Sequence, residues 1–97
     1  MPTDMVTLPE RAGSRGEAQS LLGSVAANLS GTVLRLDGAH LGAGSSSFMD
    51  ELVKEVLVER HADQLCLDNV TERSASFARA SAVRRGVADR LKSSSRT

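Results

Sequence analysis

The sequence predicts a small α/β domain: a short sheet of about three main strands, largely parallel, with helices packed mainly on one face. Three observations carry this. Thr32 to Asp37 alternates, with Leu34 and Leu36 on one side and Val33, Arg35 and Asp37 on the other, as in a strand with one covered face. From Phe48 to Leu57 the period changes to that of a helix. Phe48, Met49, Leu52, Val53, Val56 and Leu57 occupy one half of the wheel, and Asp50, Glu51, Lys54 and Glu55 the solvated half. Gln64 to Asp68 then returns to a strand pattern, with Leu65 and Leu67 inward, ahead of another helical stretch.

In chain order, Met5 to Leu8 is a short strand with Val6 and Leu8 on one face, closed by Pro9. Glu17 to Leu29 is the first helix, because Ala18, Leu21, Leu22, Val25, Ala26 and Leu29 recur at helical spacing; Asn28, Ser30 and Gly31 end it. The strand at Thr32 to Asp37 carries charges at alternate positions. A parallel strand covered on both sides would be apolar throughout, so one face of the sheet is expected to be open. Gly38 to Gly44 forms a glycine-rich turn, Ser45, Ser46 and Ser47 start the second helix, and Arg60 to Asp63 makes the return. Asn69-Val70-Thr71-Glu72 has capping-box spacing, with Asn69 as the cap and Glu72 reaching back. The last helix runs to about Leu91, with Phe77, Ala78, Ser81, Ala82 and Ala88 as packing positions and Gly86 as a weak point or end. Residues 1–91 form one domain, and 92–97 are expected to be a disordered polar tail. The order β-α-β-α-β-α leaves exposed sheet edges, through which a homodimer could pair.

With 97 residues, 40% hydrophobic and 25% charged, the chain suits one modest core and no second domain. No apolar run approaches the length of a membrane span. Met-Pro-Thr-Asp lacks the basic start and apolar centre of a secretory signal, so a cytoplasmic location is expected. Cys66, flanked by Leu65 and Leu67, is read as a packed small hydrophobe. With His40 and His61 as the only histidines there is no metal cluster, and no cofactor is expected. Net charge is zero but unevenly spread. Residues 37–72 hold eight acids against Lys54 and Arg60, and residues 73–97 hold seven bases against Asp89 alone. The chain has no Trp or Tyr for base stacking, so nucleic-acid binding through Arg79, Arg84, Arg85 and Arg90 ranks last.

The three serines admit several roles. Serine is a preferred N-cap, and Ser47 followed by Asp50 is a near capping box, with Gly42 and Gly44 supplying the turn. Glycines before a helix can cradle an anion, but positions 38, 42 and 44 fit neither GxGxxG nor the Walker pattern, and no lysine follows. A serine here can also accept a phosphate, which the helix start stabilises. Nucleophilic catalysis is not indicated: Gly-x-Ser-x-Gly is absent and neither histidine stands out as a base. Glu51, Glu55 and Glu59, at i, i+4 spacing, read as a solvated or partner-facing acidic stripe.

Asp37, the turn after it and Ser47-Phe48-Met49-Asp50-Glu51-Leu52 resemble the STAS-like family of small bacterial proteins, in which Leu-Asp at a strand end precedes a Ser-Phe-x-Asp-Glu-Leu helix start. The resemblance continues through Leu65, Leu67 and Asn69 to Arg84-Arg85. In the wider STAS superfamily, which includes anti-sigma factor antagonists, the helix start reads Asp-Ser-Ser/Thr-Gly, and the serine after the aspartate is phosphorylated by a histidine-kinase-like ATPase. Ungapped alignment from Asp37 puts Ser46 at the acceptor, while Ser45 and Phe48 replace the aspartate and the glycine. The resemblance implies a non-enzymatic regulatory domain that docks such an ATPase or an anti-sigma-type regulator. The phosphoacceptor candidates are Ser46, Ser45 and Ser47, and the partner-binding candidates are Gly42, Gly44, Ser45, Ser46, Asp50, Glu51 and Lys54. The alternatives are a small-anion or nucleotide-binding module and a structural self-assembling subunit.

Overall fold

The computed structural model describes residues 3–41 and 43–95. Its elements run β1 (Thr3–Thr7), β2 (Arg11–Ala12), α1 (Arg15–Leu22), β3 (Val33–Asp37), β4 (Ala43–Gly44), α2 (Ser46–Val53), β5 (Gln64–Val70), α3 (Glu72–Arg84) and β6 (Leu91–Ser95). α2 continues as a π-helical segment, Lys54–Glu59, and a 3₁₀ turn, Ala88–Arg90, leads into β6. A four-stranded parallel sheet has the order β1-β3-β5-β6, and β2 and β4 form a separate two-residue parallel ladder.

The expected α/β class is present, with four main strands in place of three. The fourth, β6, comes from the segment expected to be a disordered tail. Lys92-Ser93-Ser94-Ser95 has no hydrophobic pattern to announce a strand. It is held by backbone pairing to β5, with Leu91 beside Leu65 and Ser93 beside Leu67. Leu91 is buried and anchors the start of this strand. Arg96 and Thr97 lie outside the described residues.

Three boundaries also differ from the sequence pattern. α1 starts at Arg15, where Ser14 Oγ accepts from Glu17 N–H, and stops at Leu22. The expected continuation to Leu29 is instead a loop tied to the return after α2: Arg60 donates to the Val25 carbonyl at 2.8 Å and Leu29 N–H to the Arg60 carbonyl at 2.6 Å. Asn69 is not the cap of α3. β5 extends to Val70, Thr71 Oγ1 accepts from Ser74 N–H, and Asn69 takes a left-handed φ of 58° and donates to Asp37 Oδ1. α3 ends at Arg84 because Gly86, at φ 72°, closes a Schellman turn. Val87 N–H reaches the Ala82 carbonyl and Gly86 N–H that of Val83.

Leu34, Leu36, Leu65 and Leu67 form the inward face of the sheet and join one core with Leu22, Phe48, Leu52, Val56, Ala78 and Ala82. On the opposite face Val33, Arg35 and Asp37 stay half-exposed, as the alternation in β3 requires. Arg35 pairs there with Asp68 at 3.0 Å, and Cys66 is packed between Arg35 and Lys92 in register. Among the described residues no helix is long and apolar enough to cross a membrane.

If β6 is integral, a chain ending at Arg90 should lose at least about 2 kcal/mol, the burial of Leu91 alone accounting for that order. Urea titration checks this, and an unchanged midpoint would show that the strand adds no stability.

Candidate functional site

The serine run and the turn before it converge on the start of α2. Gly44 is buried: its N–H donates to Ser74 Oγ at 3.1 Å, and a Cβ there would sit 2.8 Å from Met49 Sδ. This residue, read as partner-binding, packs β4 against α2 and α3 and offers no side-chain surface. Gly42, the other glycine in that reading, lies outside the described residues.

The helix cap is Ser45. Its extended backbone and its Oγ, which accepts from Phe48 N–H at 3.1 Å, meet the requirement of an N-cap. The Ser47 and Asp50 capping pair expected from spacing is absent, because Ser47 is already inside the helix. Ser46 is the first helical residue and is exposed, and Ser47 is half-exposed. One serine is therefore committed to the fold, and the next carries a hydroxyl in contact with solvent.

Asp50, Glu51 and Lys54 stand elsewhere than on a solvated face. The Asp50 side chain is 9% exposed and that of Glu51 1%. The helical wheel fails here because α2 is the middle of three helices, so its outer flanks are covered by α1 and α3. Asp50 Oδ1 accepts from Ser81 Oγ at 2.5 Å, Arg85 supplies Nη2 to both carboxylate oxygens at 3.1 and 3.0 Å, and Arg15 Nη1 reaches Oδ2 at 2.6 Å. Arg84 approaches Oδ1 at 3.5 Å. Glu51 accepts from Gln19 at 2.8 Å and Arg15 at 3.2 Å, with Lys54 at 3.4 Å. Every buried side-chain polar atom among the described residues has a partner.

These contacts decide the charge state. Burial pushes the Asp50 carboxyl toward the neutral form, but hydrogen bonds from Arg85, Ser81 and Arg15 outweigh it and hold its pKa well below the usual carboxylate range. Burial opposes ionisation of Glu51 too, and Gln19, Arg15 and Lys54 together bring its pKa below normal. Both are anions that tie α1 and α3 to α2. The acidic stripe expected from Glu51, Glu55 and Glu59 loses its first member to this role, and beyond Val53 the π-helical segment departs from α-helical i, i+4 spacing.

A second cluster stands at the carboxyl ends of β3 and β5, where Asp37 Oδ1 accepts from Asn69 at 3.2 Å and from Ala39 N–H at 3.0 Å. The Asn69 hydrogen bond, then that of Ala39, lowers the Asp37 pKa. It fixes the start of the turn that leads to the serines. Among the described residues no group of three or more His, Cys, Asp or Glu side chains could hold a metal ion. The sequence reading missed Arg15, Gln19 and Ser81 as partners of Asp50 and Glu51. They lie more than 30 residues from these acids, and no local pattern links them.

Ser45→Ala should cost about 1 kcal/mol through loss of the cap, whereas Ser46→Ala should stay within about 0.5 kcal/mol of the parent. Thermal unfolding of both variants separates the two serines. Asp50→Asn should destabilise by about 3 kcal/mol, since it removes a buried charge from beneath two close guanidinium groups. Because the native pKa is depressed, the stabilisation by Asp50 is complete above the ordinary carboxylate range and fades as pH falls through that range toward the native value. Urea midpoints should thus fall on acidification more steeply for the parent than for Asp50→Asn. Comparison of the chain with protein-family models, with curated proteins and with solved structures finds no match in any of the three.

Proposed function

We propose that this chain is a non-enzymatic regulatory protein-interaction domain, similar in mode to anti-sigma factor antagonists. It docks a histidine-kinase-like ATPase or an anti-sigma-type regulator through the segment Gly42 to Ser47 and the outer side of α2, and phosphorylation of Ser46 switches the contact. The observation that carries this reading is the division of labour between adjacent serines. Ser45 supplies the cap, so the exposed hydroxyl of Ser46 is surplus to the fold. Ungapped counting from Asp37 against the helix start of the wider STAS superfamily supports the same residue as the acceptor.

A phosphate on Ser46 would add nearly two negative charges at a helix start, where amide N–H groups lack helical acceptors. The modified form is therefore tolerated by the fold while its surface charge changes. Of the earlier partner-binding candidates, Ser46 and Lys54 keep accessible side chains, and Asp50 and Glu51 act as the support beneath them.

The test is recovery of partners by the tagged protein with and without ATP, followed by intact-mass measurement. The expected result is an ATPase partner and a gain of about 80 Da on a serine among Ser45 to Ser47. Ser46→Ala should bind the partner and gain no mass, and Ser46→Asp should bind more weakly. Equal binding by both variants, or mass gained at another residue, would sink the switch.

A second reading, self-assembly through a sheet edge, is favoured by β1, which among the described residues pairs only with β3 and carries Met5 at 64% exposure. It requires a dimer in light scattering that dissociates when Met5 is replaced by lysine.

A further inference from the structure

The three helices share one core with Leu34, Leu36, Leu65 and Leu67, so all of them cover the same side of the sheet. A sheet made only of parallel strands is ordinarily covered on both sides. Here, among the described residues, the second side is left largely exposed, and its charges are sorted by register. Met5, Arg35, Cys66 and Lys92 align across the four strands, and both charges in that row are positive. Thr7, Asp37 and Asp68 align in the next row, two residues toward the carboxyl ends, and both charges there are negative. The remaining row, Thr3, Val33 and Gln64, is uncharged. These four are all the charged residues at strand positions of this face, so the face is neutral as a whole with its two signs separated along the strands.

The same groups have bonding capacity that the fold does not use. Arg35 engages Asp68 through Nε and Nη2, at 3.0 Å each, which leaves Nη1 outside the pair. Asp37 accepts both of its hydrogen bonds on Oδ1, from Asn69 and from Ala39 N–H, which leaves Oδ2. Lys92 forms no ion pair with the described residues. We infer that this face is an interface between two copies of the chain, stacked sheet on sheet about a two-fold axis that crosses the strands between the two charged rows. Such an axis sets each strand over its own counterpart in reversed direction, so the positive row of one copy lies over the negative row of the other. Arg35 then meets Asp37 of the second copy, Met5 meets Thr7, and Lys92 lies diagonally to Asp68. Packed sheets stand about 10 Å apart, a gap that an arginine and an aspartate reaching from opposite sides can close. A second copy fits better than a partner of one charge, because either sign would meet one repelling row. Four strands of about five residues give a footprint of roughly 300 Å², below the roughly 800 Å² per partner of a standard interface, so the pairing is weak and reversible. This face lies across the sheet from α2, so the inference is independent of partner docking at the serines, and it differs from pairing at the β1 edge.

The test is sedimentation equilibrium of the whole chain from about 10 to about 1000 μM, at low and high salt. A dimer that weakens with salt is expected. Arg35→Glu and Asp37→Lys should each raise its dissociation constant about tenfold or more, since each sets like charges against one another twice across the axis. An equimolar mixture of these two variants should pair again, within about threefold of the parent, because the reversed charges are then matched. Arg79→Glu, on the helical side, should dimerise as the parent does. Urea midpoints establish that each variant is folded. If Asp37→Lys unfolds through loss of its turn contacts, Lys92→Glu mixed with Asp68→Lys repeats the test on the diagonal pair. A monomer at every concentration would overturn the inference. A dimer indifferent to the charge reversals would overturn it in favour of another interface, the β1 edge included, and so would reversed variants that fail to recover pairing when mixed.

Discussion

The structure depends on a buried anion. Asp50 sits in the second turn of α2 with a serine hydroxyl and two close guanidinium groups on its two oxygens, and Glu51 beside it holds Gln19 and Lys54. A carboxylate removed from water is costly unless its hydrogen-bonding capacity is filled. Here it is filled from both flanking helices at once. The three helices are consequently locked in mutual position by charge as well as by the apolar core, and the direction in which α2 presents its first turn is fixed.

That fixed direction matters because the candidate site is a helix start. Gly44 leaves no room for a side chain between β4 and Met49, Ser45 closes the first turn, and Asp37 with Asn69 pins the other end of the loop. The rigid parts are therefore those that position Ser46, and Ser46 itself takes no part in holding them. A parallel sheet covered on one face only is the second unusual constraint. The open face is managed by the Arg35 and Asp68 pair and by packing of Cys66. The ion-paired helical side and the half-exposed sheet side are thus separate properties of the same small fold.

The class of fold, the alternation in β3, the inward leucines of β5 and the apolar half of α2 were all legible, because each is a local periodicity imposed by a single buried face. The cap at Thr71 was one step from legible. Asn69 and Thr71 are both good caps, and the choice fell to Thr71 when β5 was extended through Val70, which is buried. β6 was not legible, since Lys92 to Ser95 carries no pattern and its order comes from a ladder with residues some 26 positions earlier. The same holds for α1, whose apolar spacing continues past the point where Arg60 captures the Val25 carbonyl and ends the helix.

By itself, then, the sequence determined where apolar faces repeat and which residues can start or stop a helix, because these depend on neighbours within about one or two turns. Only the tertiary structure decided that Asp50 and Glu51 face inward. Their polarity placed them outside on the wheel of an isolated helix, but α2 has a helix on either side, and a charged residue can be buried where opposite charges arrive from elsewhere in the chain. Arg15 and Arg85 lie 35 residues from Asp50 in either direction. No local reading contains that meeting, and the mutual position of the three helices rests on it.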